Sequence, residues 1–251
     1  MEPGIAVLRV ADLDVYYGAV AAVREVSLEL RQSEVVCLLG PNGAGKTTVL
    51  NAIVGEVAPR RGVIEYRSDG ERIELQDLPP HARARLGIVS VAAHENILPR
   101  FTVEENLEVG AYLRRDRKAV REDMEAQYAR FPILKERRRQ FAGTLSGGQQ
   151  KMLAMARALM SKPRMLILDE PSLGLAGAVM GEVFDTIRSL NREHGLEILL
   201  VEQNVRKGLE YSDRAYVMRI GGIDFSAPSR ELLDSDRIEL AYFGGAGAAP
   251  G

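Results

Sequence analysis

Cysteine is nearly missing: Cys37 stands alone, inside the apolar run VVCLL. One thiol cannot close an internal disulfide, which fits a reducing compartment, and in such a run it reads as a small buried side chain. Net charge is lacking as well. The 33 Lys and Arg against 35 Asp and Glu leave a net charge of -2, so no global field draws the chain to nucleic acid or anionic lipid, and any such partner needs a local patch. No run approaches the ~18 apolar residues of a membrane helix, and MEPGIAVLRV has neither the basic start nor the long apolar stretch of a signal peptide. A cytosolic protein is expected, one able to dock onto something held in a membrane. There is no internal repeat, and no low-complexity stretch before GGAGAAPG at 244–251, a tail with nothing to bury.

What is present is enough chain, 251 residues, for a sizeable core. From Ile5 to Leu30 the pattern is short, β-rich and alternating, with Val26, Leu28 and Leu30 on one face and a turn at Tyr17-Gly18, and it predicts a small antiparallel sheet. VVCLL at 35–39 is continuously apolar, as in a parallel strand covered on both faces. A helix from Lys46 to about Val54 follows, stopped by Gly55, and Asp69-Gly70 marks a hairpin over 63–75. Pro79-Pro80 opens a short basic helix ending at Gly87. Thr102 and Glu105 form a capping box for a helix to about Leu113, and more helix runs to about Arg139.

Between 114 and 139, ten Lys or Arg interleave with five acids and few aromatics, which favours a solvated helical face over a nucleic-acid patch. A helix over 149–160, a buried strand MLIL at 165–168, a long helix to about Glu193 and a strand EILLV at 197–201 come next. Strands then alternate with helices to Phe243. This order predicts one α/β domain over 1–243 with a mostly parallel sheet, carrying an antiparallel β lobe (about 5–30 and 57–76) and a helical insertion (about 95–160).

GPNGAGKT at 40–47 places glycines and a Gly-Lys-Thr end between a buried strand and a helix, the setting a phosphate loop requires. Backbone N–H groups of Gly40, Pro41's successor Asn42, Gly43, Ala44 and Gly45 can turn toward phosphate oxygens, and the helix amino terminus adds partial positive charge. Lys46 suits the β and γ phosphates of ATP, Thr47 can ligate magnesium, and Pro41 and Thr48 belong to the same expected ATP-binding loop. A chance glycine-rich turn is the plain alternative, disfavoured by the strand and helix on either side. Such a site needs an acid from a neighbouring strand end, and ILDE supplies Asp169 for magnesium and Glu170 to polarise an attacking water. Two adjacent acids after a strand can also be a simple helix cap.

LSGGQQ at 145–150, before a helix and with Ser146 lying 23 residues ahead of Asp169, joins these motifs in order. With it the chain resembles the ATP-binding cassette family, a branch of the phosphate-loop NTPases, over nearly its whole length. The resemblance implies two cassettes packed head to tail, with Ser146, Gly147, Gly148 and Gln149 of one meeting ATP held by the other. It places Tyr17 where an aromatic stacks on adenine, with Tyr16 the competing choice and a half-buried strand tyrosine the bland reading. In LVEQN, Gln203 takes the position of a histidine common in the family; a glutamine can hydrogen-bond the γ phosphate but cannot titrate near neutrality.

PSLGL, LVEQN, FTVEENL at 101–107 and the AYFGG ending are similar to importers of branched-chain amino acids and related amides or urea. That implies an ATPase subunit, peripheral on the cytoplasmic face, beneath membrane permeases fed by an external solute-binding protein, with ATP and magnesium as cofactors and no nucleic acid. Two alternatives stand beside it: a urea or amide importer, and a soluble cassette acting on nucleic acid or ribosomes, which would usually bring tandem cassettes, coiled-coil arms or zinc cysteines. One position departs from the family. Counting back from Thr102, the place of a Gln or Glu that touches magnesium falls on Ala93. Glu95 or His94 from a shifted loop, a water, or weakened coupling are the open explanations; Glu95 is the preferred substitute because an acid suits magnesium.

Overall fold

The computed structural model describes residues 5–93, 97–175, 177–233 and 235. It contains two sheets. In the first, β1 (Ala6–Tyr17) lies between β2 (Val20–Arg31) and β4 (Arg61–Ser68), and β5 (Glu71–Glu74) adds an edge, all antiparallel. Alternation decides which face is inside: Leu8, Val10, Leu13 and Val15 from β1 and Val23, Val26, Leu28 and Leu30 from β2 are all buried.

The second sheet has the order β10-β9-β3-β8-β7-β6. Here β3 (Val35–Leu39), β6 (Ile88–Val91), β7 (Met165–Asp169), β8 (Glu197–Glu202) and β9 (Arg214–Arg219) run parallel, and β10 (Gly222–Pro228) returns antiparallel from β9. Every residue of β3 and β7 is buried, because helices cover one face and the first sheet with α1 (Lys46–Val54) covers the other.

Helices supply the rest: α2 (Pro80–Arg85), α3 (Val103–Gly110), α4 (Arg117–Arg130), α5 (Pro132–Glu136), α6 (Gly147–Leu159), α7 (Gly177–His194), α8 (Val205–Glu210) and α9 (Ser229–Leu233), with a three-residue 3₁₀ turn at Ala142–Thr144. Capping boxes fix two starts, Thr102 with Glu105 for α3 and Ser146 with Gln149 for α6, so α6 begins two residues earlier than its apolar pattern suggests. The basic segment at 80–87 is partly interior. Arg83 is buried, and its guanidinium donates to the carbonyls of Ala52 (2.6 Å) and Ile53 (2.8 Å), which closes the carboxyl end of α1. The helix that follows the glycine-rich loop is thereby held at its far end. The tail at 244–251 lies outside the described residues.

Candidate functional site

Strand order brings distant motifs together. With β3 beside β8 and β8 beside β7, the loop after β3 and the turns after β7 and β8 emerge along one edge of the parallel sheet. Between β3 and α1 the chain turns through Gly45 at φ 100°, and a Cβ there would lie 2.9 Å from the Ala22 carbonyl oxygen, so only glycine lets the loop sit this close to β2. Lys46 is buried within it and donates to the carbonyls of Gly40 (2.7 Å) and Pro41 (3.1 Å). Burial lowers the pKa of its ammonium, with the charges of Glu170 and Asp169 opposing.

Thr47 Oγ1 donates to Asp169 Oδ2 at 3.2 Å across 122 residues of sequence. The other oxygen, Asp169 Oδ1, is buried without a partner. Burial raises the Asp169 pKa, and the Thr47 bond pulls the other way. A hydroxyl beside a half-used carboxylate is a fitting pair of hard oxygen donors for magnesium. Among the described residues no group of three His, Cys, Asp or Glu could hold a metal unaided, so phosphate or water would have to complete its shell.

Glu170 adopts a left-handed backbone, φ 47°, rare for a residue with a side chain. Three bonds hold it there. Its N–H donates to Val201 O (2.9 Å), its carbonyl accepts from Lys151 Nζ (2.9 Å), and its carboxylate accepts from Gln203 Nε2 (2.5 Å). The turn that aims this carboxylate is thus built from three elements, β8, α6 and the segment after β8. Glu170, Lys46 and Thr47 share the wall of a cavity of about 510 Å³.

A smaller cavity, about 230 Å³, is lined by Asp169 together with Val91, Ala93, Lys151 and Met155 among others. Ala93 therefore does stand near Asp169 and contributes only a methyl group. His94, Glu95 and Asn96 lie outside the described residues. Of the two tyrosines, Tyr16 carries the Arg60 guanidinium 4.9 Å above its ring, whereas Tyr17 ends β1 and is 49% exposed. Ser146 and Gly147 are exposed, and Gln149 accepts from the Ser146 N–H rather than facing outward.

Two contributors escaped the linear reading. Lys151 lies one helical turn beyond Gly147, a spacing that placed it beside the motif but gave no hint of its target. Glu202 is 1% exposed and accepts four hydrogen bonds, from Ser172 N (3.0 Å), Ser172 Oγ (2.8 Å), Gln203 N (3.2 Å) and Asn204 N (3.3 Å). A carboxylate at the end of an apolar strand was the available signal.

The family model described as ABC transporter matches residues 23–173. The chain is 44% identical over 230 residues (92% of this chain, 96% of the relative) to the high-affinity branched-chain amino acid transport ATP-binding protein BraG of Pseudomonas aeruginosa. It is 37% identical over 237 residues (94% and 98%) to the probable branched-chain amino acid transport ATP-binding protein LivF of Archaeoglobus fulgidus. Among solved structures, a nucleotide-free ATP-binding cassette from an ABC transporter superposes with a TM-score of 0.82 at 26% identity, covering 96% of this chain and 100% of the other. An ADP-bound cassette gives 0.80 at 27% identity, covering 96% and 99%. The chain belongs to the ABC transporter family as an ATP-binding, ATP-hydrolysing cassette.

Proposed function

We propose that this chain powers import of branched-chain amino acids, as the ATPase subunit seated against permeases on the cytoplasmic face of a membrane and fed indirectly by an external solute-binding protein. The names of its relatives support the solute class, and no helix among the described residues is long and apolar enough to cross a membrane. One observation carries the chemistry: the Glu170 carboxylate, gripped by Gln203, lines the same cavity as Lys46 and Thr47.

In this reading the loop from Gly40 to Thr48 cradles the triphosphate, Lys46 leaving its carbonyl partners for phosphate oxygens. Thr47 and Asp169 would hold magnesium, which would supply positive charge beside the β and γ phosphates. Glu170 takes a proton from the attacking water, and Gln203 orients Glu170 and contacts the γ phosphate. Tyr17 stacks on adenine. Ser146, Gly147 and Gly148 of a second cassette, with Gln149 securing the helix start, close over the ATP, so catalysis belongs to a dimer.

Replacing Glu170 with Gln is expected to preserve ATP binding while lowering turnover at least ~100-fold, the scale of a lost general base. Hydrolysis at the wild-type rate would remove Glu170 from the role. Co-purification with candidate permeases and ATPase assays in membranes test the solute: stimulation by leucine, isoleucine or valine supports the proposal, and stimulation by urea or amides alone overturns it.

A further inference from the structure

The β9–β10 hairpin closes on two residues, Ile220 and Gly221, with φ of 48° and 79°. Positive φ at both central positions is the type I′ turn, whose usual sequence is Asn-Gly. Gly221 obeys the rule, since a Cβ there would come within 2.9 Å of the Ala22 carbonyl oxygen. Ile220 breaks it. A β-branched residue is sterically disfavoured in the left-handed region, and this one gains no burial in return, being 89% exposed. Local propensity and packing both argue for asparagine here, so the reason for isoleucine lies in what the side chain faces.

It faces the phosphate-loop cavity. Ile220 and Val20, itself 70% exposed, line that cavity together with Lys46, Thr47 and Glu170. The turn is also bolted to the loop: Gly221 N–H donates to Ala44 O at 3.1 Å, and Gly221 O accepts from Arg24 N–H at 2.8 Å. Backbone bonds thus set where Ile220 stands relative to bound phosphate. Two apolar side chains open to water at the rim of a polar pocket match the one part of a nucleotide that is not phosphate.

We infer that Ile220, with Val20, forms an apolar cover for the sugar and base end of the bound nucleotide, so that a strained turn residue sets nucleotide affinity. The inference rests on the ATP reading of the cavity. It predicts an unusual pairing of effects in the full chain. Ile220→Asn relieves the strain and raises the unliganded Tm by about 2–4 °C, yet it weakens MgATP binding about fivefold, the scale expected for exposing half an aliphatic side chain. Ile220→Gly, equally free of strain, shows the same loss of affinity. Inorganic tripolyphosphate, which has phosphates but no sugar or base, competes equally well for wild type and variants.

Unchanged ATP affinity in both variants overturns the cover. Equal weakening of ATP and tripolyphosphate overturns it too, because the turn would then act through Ala44 and the loop. A wild-type chain that binds neither ligand removes the site itself, a failure of the ATP reading distinguishable from a failure of Ile220.

Discussion

At the scale of single residues the site holds one carboxylate that is only half satisfied, Asp169: buried, with one oxygen on Thr47 and the other without a partner. Burial raises its pKa. For an acid whose folded pKa exceeds the unfolded value of about 3.9, the favourable linkage is complete below that pH and is lost as pH rises through the folded pKa. At neutral pH the protein therefore carries the whole penalty of an under-paired carboxylate. Asp169→Asn keeps an acceptor for Thr47 and removes the charge. Its unliganded Tm is expected to rise by about 3 °C at pH 7, with the difference from wild type shrinking toward pH 4, while metal-dependent ATP hydrolysis falls to background. Calorimetry across pH checks the first part, and a lower Tm at pH 7 contradicts it.

At the scale of elements, what holds the site together is a bond pattern between strand exits. β7 and β8 run side by side with Asp169 opposite Val201, and one residue further on Glu202 ties the turn after β7, through Ser172, to the turn after β8, through Gln203 and Asn204. Glu202→Gln keeps the volume but places a donor among donors. The expected cost is about 2–3 kcal/mol of stability, and because Gln203 grips Glu170, kcat should drop about tenfold with KM for ATP within about twofold. Steady-state kinetics decide it: a change in KM alone would mean that Glu202 shapes binding rather than the aim of Glu170.

This network also shows where sequence reading stops. The strand, loop and helix around GPNGAGKT, the strand ending in ILDE and the helix after LSGGQQ were legible because each is contiguous and has clear periodicity; the parallel core, the Asp69-Gly70 hairpin and the Thr102 capping box were legible for the same reason. Lys151 on Glu170, Arg83 on α1 and Ile220 at the cavity rim depend on contacts between segments far apart in the chain, which periodicity does not encode. Ile220 carried a local signal all the same, as an isoleucine where a tight turn asks for asparagine.

At the scale of the molecule, the parallel sheet divides two apolar cores, and successive residues of each strand serve them in turn. Val35, Cys37 and Leu39 of β3 face the core shared with α6, α7 and α8, whereas Val36 and Leu38 face the core shared with α1 and the antiparallel sheet. β3 lies between β8 and β9 and runs directly into the phosphate loop. Freeing Cys37 thus requires the core on the α8 side to open, since its thiol is fully buried with Gly208 of α8 packed against it. Burial, with a smaller push from the Glu202 charge, lifts the Cys37 pKa well above its ordinary value, so the reactive thiolate is scarce in the folded chain even at pH 8–9. Thiol labelling at pH 8 is therefore expected to be negligible in the native protein and to reach one thiol per chain in denaturant. If labelling proceeds only through global unfolding, a ligand specific to the native state slows it by the factor 1 + [L]/Kd, about 100-fold at a hundred times Kd. MgATP should deliver that protection and urea should remove it. Rapid labelling that ignores nucleotide would instead locate a local opening at α8, and the two cores would then not be unfolding as one.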